Sequence, residues 1–331
     1  MNYYIGIDVS KQSLKMFDGV NEYEVPNEKS LKTFKKLLKK KYVKEWTYVK
    51  LIYEPTSSYS NYLHEFAFKY GLKVYEVNPK KSSNFTKALG NRSKTDSIDA
   101  KMLYRFSILL REEDYNVPAI DRITEELGSY ISSYKIIQKA RIMLSNHLKS
   151  EEYVKRTDSK FENFIDREVE RFKEMENSLE KEISSFIERT PSIKEDIENL
   201  LSIKGIGIIS AVVLLYMFRK YPETNREEIT ALFGLDPISK DSGFSIHRKK
   251  RISKQGNPLP RTILYFPTIG ATRCNEQIKI FYKRLIKNHK PPKYAIIACM
   301  RKLILIAHHI YVNKEKYNPL YEEEKNYSFC Y

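Results

Sequence analysis

The stretch Tyr3-Tyr4-Ile5-Gly6-Ile7-Asp8 reads as a strand that is apolar throughout and ends on an acid. A second run, Val49-Lys50-Leu51-Ile52-Tyr53-Glu54, ends the same way. Between them, runs 13–18 and 21–26 predict a hairpin about Asp18-Gly19, followed by a basic helix over 28–41. A helix over 58–70 has Gly71 as its natural stop. A strand over 73–77 then leads to Asn78-Pro79 and another helix. Alternation of this kind after an initial meander predicts a mixed sheet flanked by helices over residues 1 to about 110.

Four acids stand at the ends of these elements. Asp8 and Glu54 close strands, and Asp96 and Asp99 open the helix Lys94-Thr95-Asp96-Ser97-Ile98-Asp99-Ala100. The i, i+3 spacing of Asp96 and Asp99 puts both on one helix face. Carboxylates so fixed are placed to converge on one or two Mg²⁺ ions, one activating a nucleophile and one stabilising a leaving oxygen. Each acid also has an ordinary use. Asp96 suits a helix cap with Asp99 in the favourable first turn, and Glu54 suits a turn before Pro55.

The surrounding charge is opposite in sign. The 331 residues carry a net charge of +16, with 41% hydrophobic and 30% charged residues. Lys240 to Lys302 holds sixteen Lys or Arg against two acids, Asp241 and Glu276. Such a segment predicts a phosphate-binding surface whose affinity falls steeply with salt. No apolar run approaches ~18 residues, so no membrane span is expected. The N-terminus enters a strand without the regions of a signal peptide. Cys274, Cys299 and Cys330 are scattered and form no CxxC pair, which predicts reduced thiols and a cytoplasmic protein.

Residues 122 to 190 change character. Ile123, Leu127, Tyr130, Tyr134, Ile137, Leu144 and Leu148 follow a 4,3 spacing that Arg141 interrupts. Ile165, Val169, Phe172, Leu179, Ile183 and Phe186 mark a second amphipathic helix, with the turn near Thr157-Asp158-Ser159. This predicts a long helical hairpin or coiled coil, serving as spacer, as dimerisation element, or as both. From Ser192 the pattern is mostly helical. Ser202-Ile203-Lys204-Gly205-Ile206-Gly207-Ile208 suits either a plain interhelical turn or a helix-hairpin-helix element whose free N–H groups hold a phosphate. Residues 235–257 read as a basic loop, and helices are expected near 260–272, 275–288 and 293–313. The expected divisions are 1–115, 116–191, 192–318 and a polar tail, 319–331.

Three blocks of the first half resemble the signatures of the DEDD insertion-sequence transposases: Gly6-Ile7-Asp8-Val9-Ser10-Lys11, Glu54-Pro55-Thr56-Ser57-Ser58-Tyr59 and Lys94 to Ala100. Further blocks follow in the second half. They are Gly205-Ile206-Gly207, Gly234-Leu235-Asp236-Pro237, Asp241-Ser242-Gly243, and Ser253-Lys254-Gln255-Gly256-Asn257 with Arg261. The ordered set spans nearly the whole chain. The family includes pilin-gene invertases and bridge-RNA-guided recombinases.

The resemblance implies an RNase H/RuvC-like α/β domain holding Mg²⁺ through Asp8, Glu54, Asp96 and Asp99, then a helical hairpin and a mostly helical transposase domain. It implies that Ser242 is a nucleophile, forming a covalent phosphoserine with DNA and leaving a 3′ hydroxyl that reseals another strand. Donor and target DNA, a noncoding guide RNA and a homo-oligomer (dimer or tetramer) are the implied partners, with no membrane. Gly205, Gly207, Arg248, Lys249, Lys250, Arg251, Lys254 and Arg261 are the expected nucleic-acid contacts. Ser245 and Ser253 stand close enough in sequence to substitute for Ser242. Asp-Ser-Gly is also an ordinary turn. Ser57 stands where the family often has glycine, and Pro258 and Pro260 crowd the helix that bears Arg261.

Other readings remain. A metal-only nuclease or junction resolvase would use the same acids to activate water, leaving Ser242 dispensable. An actin-like kinase needs further glycine-rich loops, which this 11-glycine chain does not offer after a suitable strand. A non-catalytic nucleic-acid-binding protein would have no need of all four acids and Ser242.

Overall fold

The computed structural model describes residues 3–89, 96–151, 159–238, 241–242, 246–247 and 251–319. At Ser57, Ser58, Asp96, Ser97, Ile98, Glu151, Ser159, Asp241, Ser242, Ile246 and His247 the description is of backbone only. The chain forms two compact units, Met1–Asp121 and Arg122–Tyr331.

The first unit is built on a five-stranded sheet of order β3-β2-β1-β4-β5. Its strands are β1 Tyr3–Val9, β2 Ser13–Phe17, β3 Glu22–Pro26, β4 Val49–Tyr53 and β5 Val74–Glu76. β1 pairs antiparallel with β2 and parallel with β4, and β4 pairs parallel with β5. Alternation assigns the two faces. Ile5, Ile7, Val9, Leu51 and Tyr53 are buried in one core with Phe34 and Leu38 of α1 (Lys32–Tyr42) and Leu63 and Phe66 of α2 (Asn61–Tyr70). Ile52 lies in the other, with Leu103 and Phe106 of α4 (Asp96–Phe106); Tyr4 and Phe85 of α3 (Pro79–Ala88) pack against it. This mixed α/β unit is consistent with an RNase H-like domain.

Most expected boundaries hold within two residues. Gly71 does end α2, in the left-handed region, its N–H reaching the Ala67 and Phe68 carbonyls. The first helix begins at Lys32 rather than 28. Ser30 and Leu31 both have positive φ, and the turn closed by Leu31 N–H on the Glu28 carbonyl swings the Leu31 side chain into the core. Burying that leucine outweighs continuing the helix.

The second unit is helical. α5 (Arg122–Glu151) and α6 (Ser159–Glu188) form the expected hairpin. Leu127, Ile131, Ile183 and Phe186 are buried in one core with the C-terminal helices. Arg141, the interruption in the seam, has its partner across the hairpin: its Nε donates to Glu176 Oε1 at 2.8 Å. Thr157 and Asp158 lie outside the described residues.

α7 (Pro191–Leu201), α8 (Ile208–Lys220), α9 (Arg226–Leu232), α10 (Pro258–Cys274), α11 (Glu276–Lys287) and α12 (Pro292–Asn313) follow. α8 is apolar on all sides and buried from Ile209 to Leu215, as a central core helix must be. Among the described residues α12 alone is long and apolar enough to cross a membrane. Arg301 and Lys302 interrupt its apolar sequence, and Cys299, Met300, Leu303 and Ile304 bury it in the core of this unit.

One element was not expected. Residues 235–257 carry two short ladders, β6 (Pro237–Ile238) with β9 (Arg251–Ile252), and β7 (Asp241–Ser242) with β8 (Ile246–His247). Two-residue strands leave no alternating pattern to read. The thiols of Cys274 and Cys299 are free, and burial pushes Cys299 up to about 12, leaving it an unreactive thiol.

Candidate active site

The first group of side chains is set by the β1–β4 register. Ile7 faces Tyr53, so Asp8 and Glu54 are the next residues on two neighbouring parallel strands, at the same sheet end. Both share the face of Gly6 and Ile52, the face covered by α4. Gly6 is required there: a Cβ would lie 2.3 Å from the Ala100 carbonyl oxygen and from the Tyr104 amide nitrogen. That close approach lays the first turns of α4, with Asp99 just before Ala100, directly on β1. Asp8, Glu54 and Asp99 are half-buried, and Asp96 opens α4 one turn before Asp99. Among the described residues no three acids, histidines or cysteines form a metal-binding group. The Asp96 side chain lies outside that description. The donor set, carboxylate oxygens alone, has the chemistry of a hard cation such as Mg²⁺.

The loops behind these acids are fastened by groups that the sequence reading missed. The Ser10 hydroxyl closes the β1–β2 turn, donating to the Ser13 carbonyl at 2.8 Å and accepting from the Ser13 amide at 2.9 Å. The Asn27 amide donates to the Ser10 carbonyl at 2.8 Å and to the Tyr59 carbonyl at 2.9 Å. One asparagine thus ties the loop after Asp8 to the loop after Glu54. In that second loop the Thr56 hydroxyl donates to the Glu54 carbonyl at 3.3 Å, and the Thr56 amide donates to the Ser60 hydroxyl at 2.8 Å. On the opposite sheet face, the buried Tyr53 hydroxyl donates to Glu76 Oε1 at 2.8 Å. Burial and Glu76 raise this phenol, which keeps it a donor. Lys15 stands opposite Asp8 in the β1–β2 register and shares its face. No spacing rule marks Asn27 or Lys15; a lone asparagine just past a strand end was the only available sign.

In the second unit, Ser242 lies on β7, paired with Ile246. Gly243 and Ser245, and the expected contacts Arg248, Lys249 and Lys250, lie outside the described residues. The base of this arm is a clasp built from the other motif residues. The Ser253 amide donates to the Asp236 carbonyl at 2.9 Å, Lys254 to Gly234 at 3.1 Å and Asn257 to Leu232 at 2.9 Å. The Ser253 hydroxyl donates to the Asp236 carboxylate. Arg261 Nη1 donates to the Phe233 carbonyl at 2.7 Å, with Asn257 and Gly256 carbonyls at 3.2 and 3.4 Å. Burial lowers the Arg261 pKa. Gly256 passes so close to Leu232 that a Cβ would meet its carbonyl oxygen at 1.9 Å. Asn257 caps α10 through the Leu259 amide, with Pro258 at the first turn, so the two prolines are accommodated. Arg251 and Lys254 are exposed. Arg261 is half-buried in the clasp.

The Gly205–Gly207 turn is a fixed corner between α7 and α8. Gly205 has φ 101° and lies against Ala271 of α10, where a Cβ would come within 2.7 Å. Buried Asn275 holds the turn by donating to the Lys204 carbonyl at 3.3 Å. Gly207 begins α8 as its cap, with open space where a Cβ would be.

Residues 5–155 match a DEDD family model described as Transposase, and residues 197–283 match one described as Transposase IS116/IS110/IS902 family. The chain belongs to the DEDD-type IS110 transposase family. It is similar to the pilin gene-inverting proteins of Moraxella lacunata and Moraxella bovis, each 26% identical over 265 residues covering 78% of both chains. As an IS110-family transposase it is a DNA recombinase enzyme. The first match takes in Asp8, Glu54, Asp96 and Asp99, and the second takes in Gly205, Gly207, Ser242 and Arg261.

Proposed function

We propose that this transposase breaks and rejoins DNA through Ser242, with Asp8, Glu54, Asp96 and Asp99 as the residues that hold a divalent cation. The observation that carries this reading is that the chain contains two separately braced groups. One is a set of carboxylates fixed at strand ends on the α4 face. The other is a serine on an arm clasped at its base by Asp236, Ser253 and Arg261. The name of the Moraxella relatives adds support: inverting a gene requires rejoining as well as cutting.

In the proposed reaction the Ser242 Oγ loses its proton and attacks a backbone phosphorus. The bond to the 3′ oxygen breaks, giving a 5′ phosphoserine and a free 3′ hydroxyl. A 3′ hydroxyl from another strand then attacks the phosphoserine and releases the serine, which takes back a proton. Phosphodiester energy is kept in the ester, so no nucleotide triphosphate is consumed. When bound, a divalent cation supplies Lewis-acid stabilisation of the phosphoryl oxygens. Arg251 and Lys254, with Arg248, Lys249 and Lys250, are proposed to hold the adjoining phosphates. The Gly205–Gly207 turn offers backbone N–H groups for another. Arg261 acts by holding the clasp. A noncoding RNA that pairs with both DNA sites is proposed as the guide, supported by the resemblance to guided recombinases.

The test is a denaturing gel of protein incubated with labelled DNA and Mg²⁺. Wild type should give a covalent adduct, and Ser242→Ala should give none. Strand cleavage retained by Ser242→Ala, without any adduct, would establish hydrolysis instead. Nucleic acid extracted from the purified protein should contain one specific RNA; random fragments alone would refute guided targeting.

A further inference from the structure

The corner between α11 and α12 carries charge of one sign. From Gln277 to Lys314 the sequence has nine Lys or Arg and no acid. Lys283, Arg284, Lys287, Lys290 and Lys293 are all exposed at this corner, and among the described residues none of them is in an ion pair. Arg284 lies over the Phe281 ring at 5.2 Å, which Lys302 also covers at 5.2 Å. On α6, by contrast, Arg171 and Lys173 are neutralised by Glu168 and Glu170.

Local electrostatics do not account for the arrangement. Lysines at the end of α11 favour its dipole, but Lys283 and Lys287 repel each other at i, i+4. Lys293 lies in the first turn of α12, which holds no acid and where a cation opposes the dipole. The corner is also preformed. The amides of Asn288, His289 and Lys290 donate to the carbonyls of Arg284, Ile286 and Leu285 at 3.1, 2.9 and 3.1 Å. A fixed cluster of unneutralised cations is stabilised by an external polyanion.

We propose that this corner is a second, sequence-independent anchor for the backbone of duplex DNA, away from the reacting phosphate. The claim rests on the strand-transfer reading only in taking DNA as the polyanion. A cluster made of cations fits phosphate contact, which positions without reading bases. Single strands call for a series of free aromatic platforms; at this corner Phe281 is covered by Arg284 and Lys302, and Tyr294 alone follows the cluster as an exposed ring. An anionic bilayer is disfavoured because the apolar side of α12 is packed in the core.

The test uses the full chain with Lys283→Gln, Lys287→Gln, Lys290→Gln and Lys293→Gln combined, and a random-sequence duplex of about 40 base pairs chosen to exceed several helical turns. Binding is measured against salt. Each lost phosphate contact removes about 0.9 from the slope of log affinity against log salt. The slope should therefore fall by about 3 to 4, and the four arginine replacements should restore it. An unchanged duplex slope overturns the proposal, as does a loss confined to single-stranded RNA or anionic vesicles. A covalent Ser242 adduct with an unchanged slope sinks the anchor alone. A reduced slope with no adduct sinks the strand-transfer reading alone.

Discussion

Gly6 lies directly beneath the Ala100 carbonyl, with 2.3 Å between that oxygen and the place a Cβ would take. The neighbouring atoms are helix backbone and cannot swing aside. Gly6→Ala should therefore lift α4 from β1 and separate Asp99 from the strand ends. Overpacking of this kind costs about 1–3 kcal/mol. The only tryptophan, Trp46, lies in the same unit, packed against Tyr70 at 5.3 Å. Its fluorescence should report a lower denaturation midpoint in the variant, accompanied by loss of Mg²⁺-dependent adduct. An unchanged midpoint would show that α4 does not need this contact.

Ser242 and Ser253 both stand in the basic segment 235–257, and the proposed mechanism gives them separable roles. The Ser253 hydroxyl is already engaged by Asp236 and by the Gln255 amide at 3.2 Å. Ser253→Ala should slow adduct formation without preventing it. Arg261→Lys removes the planar fork and should leave carbonyls of the clasp unsatisfied, at about 1–3 kcal/mol. Rates of adduct formation at saturating DNA would check both. Complete loss in Ser253→Ala with normal folding would move the nucleophile away from Ser242.

The strands bearing Asp8 and Glu54 were legible because each is a short apolar run ending on a charge. Parallel pairing was then the arrangement that a crossover through α1 allows. The C-terminal helices were legible from periodicity alone. What escaped reading is held by single polar contacts over long separations. Asn27 joins Ser10 and Tyr59 through two carbonyls, and nothing in its neighbours announces that. Leu31 takes a left-handed backbone because the core claims its side chain, which overrides helix propensity. The serine-bearing arm is shaped by backbone ladders two residues long, below any sequence period. Arg261 could be read as a cation, but only the fold shows its guanidinium turned onto the Phe233 carbonyl.

Arg141 and Glu176 give the hairpin a polar register mark within its apolar seam. The Glu176 side chain is 11% exposed and that of Arg141 25%. Removing one partner leaves a charge in a partly dry site, whereas replacing both with apolar groups removes the desolvation cost. Arg141→Leu alone should lower stability by about 1–3 kcal/mol, from the unsatisfied charged acceptor. Arg141→Leu with Glu176→Leu should recover most of it. Circular dichroism melts of the two variants decide the matter, and additive losses would mean that the pair is not coupled.

The first unit should also carry an identifiable acid-sensitive contact. Hydrogen bonds from Lys50 and then Lys73 pull Glu112 from an ordinary value of 4.5 to about 2. Lys50 is buried on β4 with the Tyr4 and Tyr115 rings at 5.3 and 5.2 Å, so this carboxylate is the neutralising partner of a sheet lysine. A carboxylate whose folded value is depressed binds more protons when unfolded. Its stabilisation is then fully present above 4.5 and declines as the pH falls toward about 2. Glu112→Gln should be less stable than wild type at neutral pH and should lose less stability across that acid window. Denaturation followed by Trp46 fluorescence at intervals from pH 6 to pH 2 would show the two curves converging. Parallel curves would mean that the Lys50–Glu112–Lys73 contact contributes nothing to folding.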